Sequence, residues 1–173
     1  MALLAFLRAS IPGFANCHLI VTPAQVGVRE TRRIVGEYVL TQEDIVCGRQ
    51  FPDNIALSAY PIDIHNPLDG GNVPVDILRA HGIPYRCLLP KGASNLIAAG
   101  GIISVTHEAF AAIRVTPPVF AIGQAAGTAA ALAIEKGVLP AAVPIHELQE
   151  RLTQQKAVLH SGRTTSGGDT GNT

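Results

Sequence analysis

Residues 95–133 read NLIAAGGIISVTHEAFAAIRVTPPVFAIGQAAGTAAALA, and the order of features in this stretch decides the fold class. Leu96-Ile97-Ala98-Ala99 is a short, continuous apolar run that ends in Gly100-Gly101. Such a run predicts a buried strand, and glycines at its end let the backbone approach a ligand closely. Thr106-His107-Glu108 follows, then Arg114, then Pro117-Pro118 ahead of a long helical run from Val119 to Lys136. Proline at the start and Gly137 just past the end punctuate a helix. Gly123-x-x-x-Gly127, with Ala130 and Ala131 on or near one face, gives that helix a small-residue side able to approach a neighbouring backbone or a flat ligand. The run is too short and too weakly apolar to read as a membrane span.

Upstream, residues 27–40 read GVRETRRIVGEYVL, rich in β-branched side chains. One or two strands are expected over 26–40, with Gly27 and Gly36 as bulges or close approaches. Thr41 and Asp44 form a capping pair for a short helix ending near Gly48. Tyr60 to His65 alternates, Ile62 and Ile64 against Asp63 and His65, and predicts a short strand. Asp69-Gly70-Gly71-Asn72 is a turn cluster. Ile83, Tyr85, Cys87 and Leu89 alternate with their neighbours up to Pro90-Lys91-Gly92, which predicts another strand. Downstream, Ile145, Leu148, Leu152 and Leu159 set a helical stripe, hence a C-terminal helix over 143–159. Leu3, Leu4, Phe6 and Leu7 fit an amphipathic helix stopped at Ile11-Pro12-Gly13. A secretory signal would need its charge before the apolar run, whereas Arg8 follows it. Residues 160–173 hold no large apolar side chain and predict a disordered tail.

The composition narrows the class further. The 173 residues carry 13 basic and 13 acidic side chains, are 47% hydrophobic and only 5% aromatic, and include 17 glycines. A balanced charge argues against a nucleic-acid partner, which calls for a basic excess. Cys17, Cys47 and Cys87 are odd in number and widely spaced, so neither a disulfide framework nor a four-thiolate iron–sulfur site is expected. Free thiols and the absence of a signal or membrane segment point to a cytoplasmic chain. A G-x-S-x-G elbow is missing, and the H-E-x-x-H pattern fails because position 111 is Ala, which removes serine hydrolase and zincin readings and leaves no metal site.

The 95–133 stretch resembles the C-terminal signature of FAD-dependent oxidoreductases of the two-dinucleotide-binding-domain type. GVRETRRIVGEYVLT at 27–41, YPIDIH at 60–65 and YRCLLPKG at 85–92 are similar to the same family in the same order. The resemblance implies an α/β fold, the C-terminal part of a Rossmann-like FAD-binding domain with a mostly β substrate-side region. One unit over 1–159 is implied, with the substrate side at 26–92 and the flavin-domain strand and helix at 93–137. FAD is the implied cofactor, and hydride transfer between flavin and a small-molecule organic substrate the implied activity. Gly100 and Gly101 would pass under the ribityl and pyrophosphate part, and the helix start at Thr116 and Pro117 would face the flavin pyrimidine. The chain departs from the pattern twice. Gly100-Gly101 stands where Gly-Arg is usual, and no G-x-G-x-x-G occurs anywhere, so the N-terminal FAD-binding half is absent. A partner carrying that half is therefore expected, and a non-catalytic assembly fragment is the alternative function.

Candidate residues follow from chemistry and from the resemblance. Arg29, Arg32 and Arg33 can clamp an anionic substrate through their guanidinium forks, or pair internally with Glu30 and Glu37. Tyr60 is placed with Arg29 and Arg32 on the substrate side. His107 beside Glu108 fits acid–base work near a flavin, or a helix cap. His65 beside Asp63 poses the same choice. Arg114, just ahead of the proline-started helix, falls near the flavin or substrate in the family's pattern, or makes a surface salt bridge.

Overall fold

The computed structural model describes residues 2–64, 75, 77 and 79–161. In chain order these build α1 (Ala2–Ser10), α2 (Gln42–Val46), β1 (Asn54–Ser58), β2 (His81–Pro84), α3 (His107–Ile113), α4 (Thr116–Lys136) and α5 (Ile145–Gln154). β1 and β2 form a two-stranded antiparallel sheet in which Ala56 faces Ile83, Leu57 faces Gly82 and Ser58 faces His81, with a register irregularity between Asn54 and Ala56. Helices and a small sheet thus share one core, a mixed architecture compatible with α/β.

The core is assembled from the middle and end of the chain. Leu40, Ile45, Ile55, Ile83, Tyr85, Leu88, Ile103 and Ile113 share one buried cluster with Ile122, Ala125, Ala129 and Leu132 on one side of α4. α4 lies against β1 and α5, and α5 contributes Leu148 and Leu152. Alanines on this side of α4 let the helix sit close to the sheet. By length and composition α4 could cross a bilayer, but its inner face belongs to this core.

Local chemistry explains the small elements. Thr41 caps α2 through a reciprocal box with Asp44, and Gly48 closes the turn at φ +65°. The buried Asp44 carboxylate also accepts from the Tyr38 hydroxyl at 2.8 Å and pairs with Arg49 at 3.0 Å, so its charge is fully compensated. Burial, then the bond to Asp44, pushes the Tyr38 phenol up. β1 and β2 touch through an obligatory glycine: a Cβ on Gly82 would lie 1.9 Å from Asn54 Oδ1. Asn54 in turn accepts from the Phe51 N–H at 3.0 Å and donates to the Leu159 carbonyl at 3.1 Å, tying the end of the described chain to the sheet. Gly36 is a close approach as expected, since a Cβ there would meet Ser104 Cβ at 2.7 Å, whereas Gly27 stands in open space.

Several sequence expectations need correction. The 26–40 segment pairs only through isolated bridges, Gly36 with Pro90 and Leu40 with Val105, so among the described residues the 26–92 region is not mostly β. Its alternate residues face no continuous partner strand among the described residues. Residues 95–99 are extended without a ladder, because only the Ala98 N–H finds a neighbouring backbone carbonyl, that of Leu88. The alternation from Ile83 to Leu89 is not one strand: β2 ends at Pro84, and Tyr85–Leu88 is a 3-10 turn started by the Tyr85 N–H to the Asp53 carbonyl. Leu88, on the supposed outer face, is fully buried there. Tyr60–His65 reduces to a bridge between Ile62 and Val75 among the described residues. His65 and the 69–72 turn lie outside the described residues, as does the tail from 162 onward. α1 forms where expected but buries none of its side chains. α5 stops at Gln154, and Leu159 reaches the core from the segment beyond it. α3 is an element the sequence reading missed, capped by the Thr106 hydroxyl accepting from the Ala109 N–H at 3.3 Å.

Candidate functional site

The residues of interest converge where α3 ends and α4 begins. Arg114 is the C-cap of α3 and stands two residues before α4, and Val115 is the N-cap of α4. Two cavities open at this corner. One, of about 330 Å³, is lined by Val28, Arg29, Tyr60, Asp63, Arg114 and Val115. The other, of about 190 Å³, is lined by Arg29, Ile64, His107, Ala111 and Arg114. They share Arg29 and Arg114, so they adjoin across the two guanidinium groups.

Arg114 is half-buried and donates from Nη2 to the Asp63 backbone carbonyl at 2.8 Å, which holds the fork at the cavity wall. His107 is the first residue of α3, with its side chain 55% exposed, and its Nδ1 lies 2.8 Å from the Glu30 carboxylate. Glu30 also pairs with Arg33, whose guanidinium sits 5.7 Å from the centre of the Phe110 ring. Burial acts to raise the Glu30 carboxyl, but the hydrogen bonds from His107 and Arg33 outweigh it and hold it below the usual carboxylate range. Two arginines and an imidazole beside small open cavities suit an anionic group a few atoms across.

Arg29, Tyr60, Arg114 and His107 are therefore brought together. Arg32 is exposed and lines neither cavity, and Arg33 is engaged with Glu30 and Phe110. Gly100 and Gly101 lie in a 3-10 turn packed against α4. Gly100 needs its φ of +73°, and a Cβ on Gly101 would rest 3.5 Å from the Phe110 ring, in ordinary contact. Thr116 and Pro117 are exposed and follow directly on Val115. Because Pro117 and Pro118 have no N–H, Thr116 carries the single backbone donor among the first three residues of α4.

Asp63 as a cavity wall and Glu30 as the partner of His107 were not assigned these places from the sequence. Glu30 lies 77 positions from His107, and no local spacing links them. Elsewhere, burial is the main cause that drives the Cys87 thiol up to about 12 and the His81 imidazole down to about 4, and neither residue lines these cavities.

A comparison with family models matches residues 1–152 to the family described as FAD dependent oxidoreductase, which spans most of the chain. The chain belongs to this family. No curated protein and no solved structure matches it. FAD is the cofactor of an FAD-dependent oxidoreductase, and the chain's residues meet only part of what FAD requires. Gly101, Thr116 and Pro117 are exposed, and Val115, directly before α4, lines the larger cavity. The pyrophosphate, by contrast, calls for a G-x-G-x-x-G turn at a helix N-terminus, and the 173 residues contain none.

Proposed function

We propose that this chain forms the substrate side of an FAD-dependent oxidoreductase acting on a small organic anion, completed by a separate flavin-binding half. Arg29 and Arg114 hold the anion between their forks, and Tyr60 closes the larger cavity. Gly100, Gly101, Thr116 and Pro117 border the flavin ring, with the positive end of α4 directed toward it. Bound flavin supplies hydride transfer at its N5 atom, and the chain's own residues orient the substrate and keep it beside the ring. His107 stands ready to hold or accept a proton in the smaller cavity. The pyrophosphate half of FAD rests on a partner segment that carries the glycine-rich turn. The observation that carries this reading is the pair of cavities sharing Arg29 and Arg114 at the N-terminus of α4.

The test is flavin reduction in the reconstituted pair of halves, the native chain against Arg114→Ala and Arg32→Ala. Loss of a buried or half-buried charge contact of this kind costs about 2 kcal/mol or more, which is a slowing of ~30-fold or more for Arg114→Ala. Arg32→Ala should stay within about twofold, since a solvent-exposed charge contributes little. Unchanged reduction in Arg114→Ala removes the cavity from the reaction. That outcome favours the second reading, an assembly piece that docks through the exposed apolar face of α4, where Phe120 is 72% and Ile134 81% exposed.

A further inference from the structure

Among the side chains around the cavities, the pairing least expected from the sequence is that of His107 with Glu30. The bond runs through Nδ1, at 2.8 Å and 2.9 Å from the two carboxylate oxygens. A carboxylate accepts and never donates when ionised, so this contact places the ring proton on Nδ1. Glu30 is itself fixed from the other side by Arg33, and Arg33 by its stack on Phe110 inside α3. The chain Phe110–Arg33–Glu30–His107 therefore closes on the same short helix that it starts from. Such a closed loop limits how far the carboxylate can swing away from the imidazole.

We infer that Glu30 is a positioning residue: it locks His107 in the Nδ1–H tautomer, leaving Nε2 as the lone-pair nitrogen offered to the cavity of Arg29 and Arg114. This rests on reading that cavity as the substrate site. A lone pair at Nε2 accepts from a hydroxyl or amine on the bound molecule, while the two guanidinium groups take its anionic end. The pair of features selects an anion that also carries a hydrogen-bond donor, such as a hydroxy acid, over an anion that lacks one. With Nε2 protonated instead, the imidazole would point a second donor into a cavity already supplied with donors by both arginines, and that selection would vanish.

The direct test is the tautomer of His107 in the full chain, read from long-range proton–nitrogen NMR spectra at alkaline pH, where imidazole is neutral. The signals are identified by their loss in His107→Gln. The native chain should show Nδ1 protonated and Nε2 bare. Glu30→Ala should move the ring toward the Nε2–H form, whereas Glu108→Ala should leave it unchanged, with preserved dispersion of the remaining signals reporting that each variant is folded. A native ring protonated at Nε2 overturns the inference without any variant, and so does a Glu30→Ala ring that keeps its proton on Nδ1. The readout needs neither flavin nor substrate. Unchanged flavin reduction in Arg114→Ala, which removes the cavity from the reaction, would thus leave the tautomer standing, and a failed tautomer test would leave the cavity's anion clamp untouched.

Discussion

The two sides of α4 differ less in composition than in surroundings. Ile122, Ala125, Ala129 and Leu132 on the inner side are fully buried against β1 and α5, while Phe120, Gly123, Gly127 and Ile134 on the outer side face open space. The inner side is small and apolar throughout, whereas the outer side mixes small and apolar residues with Gln124, which donates to Gln155 at 2.9 Å. The exposed Phe120 and Ile134 flank the G-x-x-x-G spacing and are what the assembly reading would cover.

The largest effect that could break this comparison is on the inner side. Leu132→Ala should destabilise the chain by about 2–5 kcal/mol through lost burial and a residual cavity, measured by denaturant unfolding. Ile134→Ala, two positions on, should stay within about 0.5 kcal/mol in the isolated chain. Equal losses at the two positions would mean that both sides of α4 are already packed.

Acid should find the buried side next. His81 is fully buried on β2, neither of its ring nitrogens has a hydrogen-bond partner among the described residues, and burial lowers its pKa from 6.5 to about 4 against an opposing pull from Asp44. The unfolded chain takes up this proton near pH 6.5 and the folded chain resists it to about pH 4. Stability is therefore full above the upper value and falls as the pH drops between the two, by about 3 kcal/mol at most. His81→Phe should flatten that stretch of the stability–pH curve, and a curve of unchanged slope would assign the acid loss to other groups.

Glycine replacements give a smaller contrast of opposite sign. Gly82→Ala should destabilise the chain by about 1–3 kcal/mol, because the new methyl collides with Asn54 and disturbs its three hydrogen bonds. Gly127→Ala meets nothing within 4 Å and lies inside α4, so it should stabilise the isolated chain by about 0.5–1 kcal/mol. Thermal unfolding of both variants checks the pair. A destabilised Gly127→Ala would show that the outer side is occupied in the free chain.

The sequence made the punctuated elements legible and left the paired ones obscure. Thr41 with Asp44, Pro117 and Gly137 act on their own neighbours, and so α2 and α4 lie where these residues put them. β1 was missed and β2 misplaced, since NIALS and HGIP owe their strand form to each other through the Asn54–Gly82 contact rather than to local alternation. The same distinction holds at the site. Arg29, Tyr60, His107 and Arg114 were singled out by residue type and by family pattern, and they do meet around the cavities. Arg32, three positions from Arg29 of the clamp, could be separated from it only by the direction of an irregular segment. Glu30 as the partner of His107 depends on a contact across 77 positions, which no spacing rule reaches.

The visible absorption spectrum of the purified chain, after incubation with FAD and desalting, tests most directly the division of the flavin site between this chain and a second half. A colourless protein is expected, because no glycine-rich turn is present to hold the pyrophosphate and the outer side of α4 stands uncovered. Flavin bands retained near one per chain would contradict it, and would mean that the glycine turn and the start of α4 suffice to bind FAD.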